Sequence, residues 1–279
     1  MKYYKELLTI GIPAFNESKY IRQTIESCIN QAGFVVVSDN ASTDDTQKIC
    51  EELVAKYPNL KYVRHQQNQG GTENFNFLLR EAKTKYFMWF GGHDYLDESY
   101  STHMLHMLEN SDAVGCYPAS RQVDVNDKEI GIYDFWYASR LVSDSPSERI
   151  YTLIAHLHEV SALFGIYRTA IAQKYLLKPM LGNDHIFICN MALKGRMIYS
   201  PRSIYNWRQT KMGLSDEENV KIWQKSLGNA ENKIADSRKE MREEQVRILK
   251  KAGFKSIGFF KKLRLISKAK KKLKKRFGE

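Results

Sequence analysis

Lys85-Tyr-Phe-Met-Trp-Phe-Gly-Gly-His-Asp-Tyr-Leu-Asp97 is the segment of this chain that is most informative about its architecture. It begins with an apolar and aromatic run that ends at two glycines, which is typical of a strand buried on both faces of a parallel sheet. In open α/β sheets, ligands bind at the carboxyl ends of the strands. Because His93 and Asp94 follow the glycines directly, we predict a site at this strand end. The alternative is a glycine turn that leads into a helix capped by an aspartate.

Strands and helices alternate along the residues that precede this segment. The spacing of the apolar residues predicts strands at 7–14, 34–37 and 60–64, and helices at 18–31, from 46 onward and at 72–82. Parallel strands joined by helices with short connections require right-handed crossovers. We therefore predict an α/β fold with a Rossmann-like, doubly wound, mostly parallel sheet.

The pattern changes after the run at 86–90. We predict a helix at 95–109, a strand at 113–118, a hairpin at 121–135 with Asn126-Asp127 at its turn, helices at 149–158 and 186–193, and strand segments within 197–207. A run rich in Glu, Lys and Arg predicts a long charged helix at 216–251. The chain should therefore carry a C-terminal helical extension behind its sheet.

The composition is that of a protein with a substantial core. The 279 residues are 43% hydrophobic and 12% aromatic, which suits one large domain, or one domain with an appendage. The four cysteines show no paired spacing, which argues against a zinc site or a disulfide framework and suits a reducing cytosol. Since no apolar run reaches the ~18 residues of a membrane span, and the first one is too short for a signal peptide, we expect a cytoplasmic protein.

The positive charge belongs to the C-terminal end. Eleven of the 43 Lys and Arg residues, but one of the 32 Asp and Glu residues, fall within 255–279. Apolar residues lie close to one helical stripe of this end, which predicts a basic amphipathic helix on an anionic membrane surface at 254–279. The alternatives are nucleic-acid binding and a solvated helix. The rest of the chain is near neutral, so we expect no nucleic-acid partner.

Four segments at predicted strand ends carry a family resemblance. Pro13-Ala-Phe-Asn-Glu17, Ser38-Asp-Asn-Ala-Ser-Thr-Asp44, Asn68-Gln-Gly and Gly91-Gly-His-Asp94 are similar, in order and spacing, to the nucleotide-sugar-binding half of family 2 glycosyltransferases. The resemblance covers roughly residues 6–210. It implies the GT-A fold, a nucleoside-diphosphate sugar donor, a divalent cation, and sugar transfer with inversion at the anomeric carbon.

The resemblance assigns donor-binding residues to these strand ends. Asp39 can accept the ring N–H of a uracil or similar base, and Asn40 can reach the same nucleotide; the alternative is that both are turn formers. A second set of residues would line the base-binding site or contact the donor through backbone groups. These residues are Pro13, Ala14, Phe15, Glu17, Asn68, Gly71, Asn74 and Gly92. For Glu17 the alternative is a charge in the first helical turn, and for Asn74 a solvated helix residue.

The metal motif departs from the family pattern. Gly91 stands where the first aspartate of the family motif would be, and His93 where the usual metal carboxylate would be. His93 can still bind a cation as neutral imidazole, with Asp94 beside it and with diphosphate oxygens and water completing the shell. A nitrogen ligand moves the preference from Mg²⁺ toward Mn²⁺. Otherwise both residues are hydrogen-bonding and capping groups.

The remaining assignments concern the chemistry. Inverting transfer needs a base for the acceptor hydroxyl, and in this family an aspartate that opens a late helix provides it. Asp184 matches that place, with a helix cap as the alternative. Arg208 follows an aromatic residue on a loop that in the family often covers the donor, and it can pair with a diphosphate bidentately.

These observations predict a domain plan and a function. We expect a GT-A domain at 1–212, with a nucleotide-sugar-binding half at 1–118 and an acceptor half at 119–212, a charged helix at 213–253 and the membrane tail at 254–279. The expected enzyme moves a hexosyl or N-acetylhexosaminyl group from a UDP-sugar to a growing bacterial surface glycan or a lipid-linked acceptor. The glycan would be a lipopolysaccharide, lipooligosaccharide or capsule, and the enzyme would act at the inner face of the plasma membrane. The alternatives are an inactive GT-A-like scaffold and a nucleic-acid-binding protein acting through its tail. A homodimer is left open.

Overall fold

The computed structural model describes residues 2–133, 137–157, 161–210, 234–252, 267–269 and 271. The strands are β1 Leu8–Ala14, β2 Phe34–Asp39, β3 Leu60–Arg64, β4 Tyr86–Trp89, β5 Tyr95–Leu96, β6 Gly115–Val123, β7 Glu129–Tyr133, β8 Ile166–Arg168 and β9 Met197–Arg208. The helices are α1 Lys2–Lys5, α2 Ile21–Cys28, α3 Thr46–Lys56, α4 Gly71–Glu81, α5 Tyr100–Glu109, α6 Pro146–His156, α7 Thr169–Ala172, α8 Asn183–Lys194 and α9 Ile234–Lys251. Short 3₁₀ turns lie at Ala138–Arg140 and Ser161–Phe164.

One mixed sheet contains all of these strands. Its order is β3-β2-β1-β4-β8-β6-β9-β5, and β7 pairs with β6 in addition. The first four strands of the chain pair in parallel, as predicted. Their register aligns Ala14 with Asp39, and Asp39 with Arg64, so that the loops after β1, β2 and β3 leave the same edge of the sheet. Polar residues that are far apart in sequence therefore meet at this edge.

The second half of the sheet is mostly antiparallel. β8 joins β4 to β6 by antiparallel pairing, β7 is antiparallel to β6, and β5 is antiparallel to β9, whereas β6 and β9 pair in parallel. The predicted hairpin is confirmed as β6 and β7. The helix predicted from 95 is wrong at its start, because Tyr95–Leu96 forms β5 and α5 begins at Tyr100. Asn206 on β9 holds this strand by donating to the Tyr95 carbonyl at 3.1 Å.

Two apolar layers cover the faces of the sheet. One contains α2 and α5 with the inward residues of β1, and the other contains α4, α6 and α8. Trp89 on β4 lies at the centre of the second layer, with ring centroids 5.1 Å from Phe87 and 5.0 Å from Phe187 of α8. Edge-to-face aromatic pairs of this kind fix α8 against the strand that carries the candidate site.

Helix α9 belongs to the same core. Its residues Met241, Ile248 and Leu249 are buried in the layer that contains α6 and α8. The second half of the predicted charged helix is therefore confirmed as a helix. Its first half, up to residue 233, lies outside the described residues, as does nearly all of the predicted tail at 254–279.

Candidate active site

Two loops at the edge of the parallel sheet are tied to each other. In the loop after β1, the backbone N–H groups of Asn16, Glu17 and Ser18 donate to side chains of the loop after β2. The acceptors are Ser42 Oγ at 2.9 Å, Thr46 Oγ1 at 2.9 Å and Asp44 Oδ2 at 3.0 Å. Burial opposes ionisation of Asp44, but its hydrogen bonds from Thr46 and Ser18 dominate and lower its pKa to about 2. The polar loop after β2 is thus held in a fixed position beside the end of β1.

The predicted base-binding carboxylate is already hydrogen-bonded. Asp39 is fully buried, and its Oδ1 accepts from the Ser42 backbone N–H at 2.8 Å and from the Ser42 hydroxyl at 2.6 Å. Its Oδ2 accepts from the Tyr62 hydroxyl, and Arg64 Nη1 lies 3.7 Å away. Burial and Asp39 raise the pKa of Tyr62, so this phenol is the donor. Three of the roughly four lone-pair sites of the carboxylate are occupied by the chain.

The loop after β3 is attached to the end of β2 by amide side chains. Asn40 donates to Asn68 Oδ1 at 2.8 Å and accepts from the Gln69 backbone N–H at 2.8 Å. Asn74 is buried at the start of α4, where it accepts from the Ser38 hydroxyl at 2.6 Å and donates to the Ser38 carbonyl. Asn74 is therefore not a solvated helix residue. These contacts bring Asn40, Asn68 and Asn74 to one edge of the sheet, and donor binding by them stays a prediction.

The two glycines after β4 make room for side chains of the site. A Cβ at Gly92 would lie 2.9 Å from Glu17 Cγ and 3.2 Å from the Pro13 carbonyl. A Cβ at Gly91 would lie 2.1 Å from Asp94 Oδ2. The hydroxyl of Thr24, on α2, lies within hydrogen-bond distance of the carbonyls of Gly92 and Asp94 and holds this turn. A side chain at either glycine would therefore displace a neighbouring carboxylate.

Asp94 faces the protein interior. It is buried, its Oδ1 accepts from the Arg208 backbone N–H at 2.8 Å, and its Oδ2 accepts from the Tyr205 hydroxyl. Burial raises the pKa of Asp94, against the lowering effect of His93 and of these hydrogen bonds. In this arrangement the carboxylate joins the turn after β4 to β9. A metal-ligand role for Asp94 stays a prediction, and it would require these contacts to be exchanged.

His93 lies against a carboxylate from another loop. Its Nδ1 is 3.0 Å from Glu17 Oε1, and the two side chains are 29% and 19% exposed. Among the residues that the structure describes, no three His, Cys, Asp or Glu side chains come together as a metal site. One imidazole nitrogen and one carboxylate oxygen nevertheless fit a borderline cation such as Mn²⁺ when further oxygen ligands are supplied.

Arg208 holds the end of β9 in place. It is buried, it donates to the His93 carbonyl, to Gln23 Oε1 at 2.8 Å and to Asp127 Oδ1, and its guanidinium lies 4.2 Å from the Tyr20 ring centroid. These contacts connect β9 with α2, with the turn after β4 and with the β6–β7 hairpin. Binding of a diphosphate by Arg208 stays a prediction, and it would compete with these contacts.

Asp184 lies in the first turn of α8. Its Oδ1 accepts from the backbone N–H and from Nδ1 of His185, at 2.6 and 2.9 Å, and its side chain is 21% exposed. Burial works to raise the pKa of Asp184, but the interactions with His185 outweigh it and lower the pKa. Gly182, not Asp184, occupies the N-cap. Asn183 donates to Thr72 Oγ1 at 3.3 Å, which brings the start of α8 next to the start of α4.

Several residues of the site were not singled out from the sequence. Ser42, Tyr62 and Tyr205 position the carboxylates of Asp39 and Asp94, and His185 contacts Asp184. Ser42 lies inside a segment that the sequence analysis quoted and His185 follows Asp184 directly, so their polarity near an aspartate was the available signal. The two tyrosines lie in strands, where an aromatic residue is typical of a core.

The fold and these strand-end loops define a GT-A protein. Residues 9–176 match the model of the family described as Glycosyl transferase family 2, and since this is more than half of the chain, the protein belongs to that family. The predictions of the family and of an α/β GT-A fold are thereby confirmed.

Solved structures share this fold. A crystal structure of Staphylococcus aureus TarS 1–349 in complex with UDP-GlcNAc matches with a TM-score of 0.59 at 19% identity, over 94% of this chain and 79% of that one. A crystal structure of GalNAc-T7 with UDP, GalNAc and Mn²⁺ matches with a TM-score of 0.57 at 12% identity, over 75% of this chain and 45% of that one. At these identities the likeness concerns the fold alone.

The curated relatives are similar over part of their length. Escherichia coli chondroitin synthase is 31% identical over 122 residues, which are 42% of this chain and 18% of that protein. Glycosyltransferase GlyA of Streptococcus pneumoniae serotype 4 is 24% identical over 228 residues, which are 75% of this chain and 31% of that protein. In the described part of the chain, no helix is both long and apolar enough to cross a bilayer.

Proposed function

We propose that this chain is an inverting glycosyltransferase that moves a hexosyl or N-acetylhexosaminyl group from a UDP-sugar to a growing bacterial surface glycan. The observation that carries the proposal is the edge of the sheet at which the loops after β1, β2, β3 and β4 meet. Asp39 ends β2, and Asn68 and His93 come from the loops after β3 and β4. The fold is shared with TarS in complex with UDP-GlcNAc, which supports a uridine nucleotide.

The donor would lie along this edge. Asp39 is fully buried and held by Ser42 and Tyr62, so it would accept the ring N–H of the base on its remaining lone pair after a local movement of the site. Phe15 is 45% exposed next to the fixed polar loop, and its ring offers an apolar surface for the base. The other predicted contacts, from Pro13, Ala14, Asn40, Gly71, Asn74, Gly92 and Arg208, would align the ribose and diphosphate.

Asp184 would accept the proton of the acceptor hydroxyl. Because its pKa is lowered, the carboxylate is ionised at neutral pH, as a base must be. The contact between its Oδ1 and His185 leaves the second oxygen for the acceptor. A divalent cation, Mn²⁺ or Mg²⁺, would neutralise the charge that builds up on the departing nucleoside diphosphate.

The proposal also includes an acceptor and a cellular location. We infer a lipopolysaccharide, lipooligosaccharide or capsule precursor, and attachment of residues 254–279 to the inner face of the plasma membrane. The basic amphipathic pattern of these residues supports attachment to anionic lipid. The division into 1–212, 213–253 and 254–279, and a homodimer, stay part of the proposal.

Release of UDP from a panel of UDP-sugars, with and without a glycan acceptor, tests this function. We expect turnover with one donor and a loss of about 10³-fold or more in Asp184→Asn, because the acceptor hydroxyl would lose its base. Binding of UDP without turnover in the unaltered protein would support the alternative of an inactive GT-A-like scaffold. The observation that favours this alternative is Gly91 at the place of the first motif aspartate.

A further inference from the structure

We propose that Glu17 supplies the carboxylate that the motif lacks at residue 91, so that Glu17 and His93 together form the divalent-cation site. The ligand would be a borderline cation, Mn²⁺ in particular, bound jointly with a nucleoside diphosphate. This inference rests on the proposed function, since the diphosphate provides further ligands. It replaces the pair expected from the sequence, His93 with Asp94, by a pair whose members come from the ends of β1 and β4.

A side chain at residue 91 would meet the Asp94 carboxylate in its present orientation. The position that a Cβ would take at Gly91 lies 2.1 Å from Asp94 Oδ2, which is far inside van der Waals contact. An aspartate at this position would also bring its own charge against that carboxylate. The room that a motif side chain would need is therefore occupied by Asp94.

Asp94 is committed to the protein. Both of its oxygens accept hydrogen bonds, from the Tyr205 hydroxyl and from the Arg208 backbone N–H, and the residue is 2% exposed. Turning the carboxylate toward a cation would remove the acceptor of both donors inside the protein, which costs about 1–3 kcal/mol for each buried group. Asp94 thus holds β9 to the turn after β4, and it does not face the donor edge.

Glu17 has the position and the access that Asp94 lacks. Glu17 Oε1 and His93 Nδ1 are 3.0 Å apart. Two ligand atoms about 2.1 Å from one octahedral cation, at right angles to each other, are separated by about 3 Å. Both side chains are partly exposed, so that a cation and a diphosphate have access to them.

The local backbone directs Glu17 to this place. Its N–H donates to Thr46 Oγ1, and its carbonyl accepts from the backbone N–H groups of Tyr20 and Ile21 at 2.9 Å. Since α2 begins at Ile21, Glu17 precedes the helix by four residues and is not a charge in its first turn. Gly92 allows the Glu17 side chain to lie across the turn after β4, because a Cβ there would be 2.9 Å from Glu17 Cγ.

Two protein ligands leave most of an octahedral shell to the donor and to water. The cation should therefore bind weakly to the protein alone and more tightly with UDP, and by linkage it should raise the affinity for UDP by the same factor. Typical coupling factors are about 5–150-fold. This reciprocity separates a shared site from a cation that binds elsewhere on the chain.

The test measures this coupling in the full chain. Mn²⁺ binding is followed by the loss of the free-ion electron paramagnetic resonance signal, with and without UDP, and UDP binding is followed by calorimetry with and without Mn²⁺. The variants are Glu17→Gln, His93→Ala and Asp94→Asn. Glu51→Gln, on the exposed face of α3, is the control that also removes one carboxylate. We expect at least about tenfold coupling in the unaltered protein and in Glu51→Gln, and its loss in folded Glu17→Gln and His93→Ala.

Four results would overturn the inference. Full coupling in a folded Glu17→Gln variant would remove Glu17 from the site, and coupling lost only in Asp94→Asn would return the site to Asp94. UDP binding that Mn²⁺ does not change would remove the cation site and leave the nucleotide donor intact. Failure of UDP and of the other nucleoside diphosphates to bind, with or without Mn²⁺, would refute the proposed function together with the inference.

Discussion

Ser42→Ala tests whether the wall of the donor site is built by the hydrogen bonds between the loops after β1 and β2. The Ser42 hydroxyl donates to Asp39 Oδ1 at 2.6 Å and accepts from the Asn16 backbone N–H at 2.9 Å. Alanine removes both bonds and keeps the backbone bond from residue 42 to Asp39. A hydrogen bond to a charged group contributes about 1.5–3 kcal/mol, and the bond to the Asn16 amide about 0.5–1.5 kcal/mol.

We therefore expect Ser42→Ala to lower the free energy of unfolding by about 2–4 kcal/mol and to weaken UDP binding, because the loop no longer holds Asp39 in one orientation. Urea unfolding at pH 7 measures the first effect and calorimetry the second. Thr43→Ala is the control: its exposed hydroxyl lies 3.3 Å from Asn16 Oδ1, and its loss should change stability by less than about 0.5 kcal/mol. A Ser42→Ala variant that resembles this control in stability and in UDP affinity would show that the loops are held by other contacts.

Two further predictions concern ionised groups near the site. The pKa of Asp44 is lowered to about 2 in the folded chain, so its contribution to stability is present above its pKa in the unfolded chain and is lost as the pH falls from about 4 to 2. Urea midpoints measured between pH 2 and 6 should therefore fall less steeply with acid in Asp44→Asn than in the unaltered protein. The same slope in both proteins would contradict this. His185 lowers the pKa of Asp184. In His185→Ala the acid limb of the profile of kcat/KM against pH should therefore move to higher pH. An acid limb that does not move would exclude Asp184 as the group that titrates.

The parallel half of the sheet could be predicted because its signals are local. The runs that became β1, β2 and β4 are short and apolar, since parallel strands are covered on both faces. The start of α5 could not be predicted, because β5 exists through its pairing with Tyr205 and Asn206, more than a hundred residues further along the chain. Tyr95 and Leu96 fit a helix equally well when their partners are unknown.

The candidate site was predictable in its position and less so in its contacts. Asp39, His93 and Asp184 were found because polar residues that follow buried strands, or that open a late helix, are informative on their own. The orientation of a carboxylate depends on donors from other elements, such as Tyr62 for Asp39 and Tyr205 for Asp94. Spacing along the chain does not contain those pairings.

The close approach of residue 91 to the Asp94 carboxylate also limits how this sequence can evolve. A single codon change from glycine to aspartate at position 91 would introduce a Cβ 2.1 Å from Asp94 Oδ2. An aspartate at position 91 would therefore require the Asp94 carboxylate to turn away, which would disturb its contacts with Tyr205 and Arg208. Glycine at position 91 accordingly preserves the present orientation of Asp94, and with it the attachment of β9 to the turn after β4.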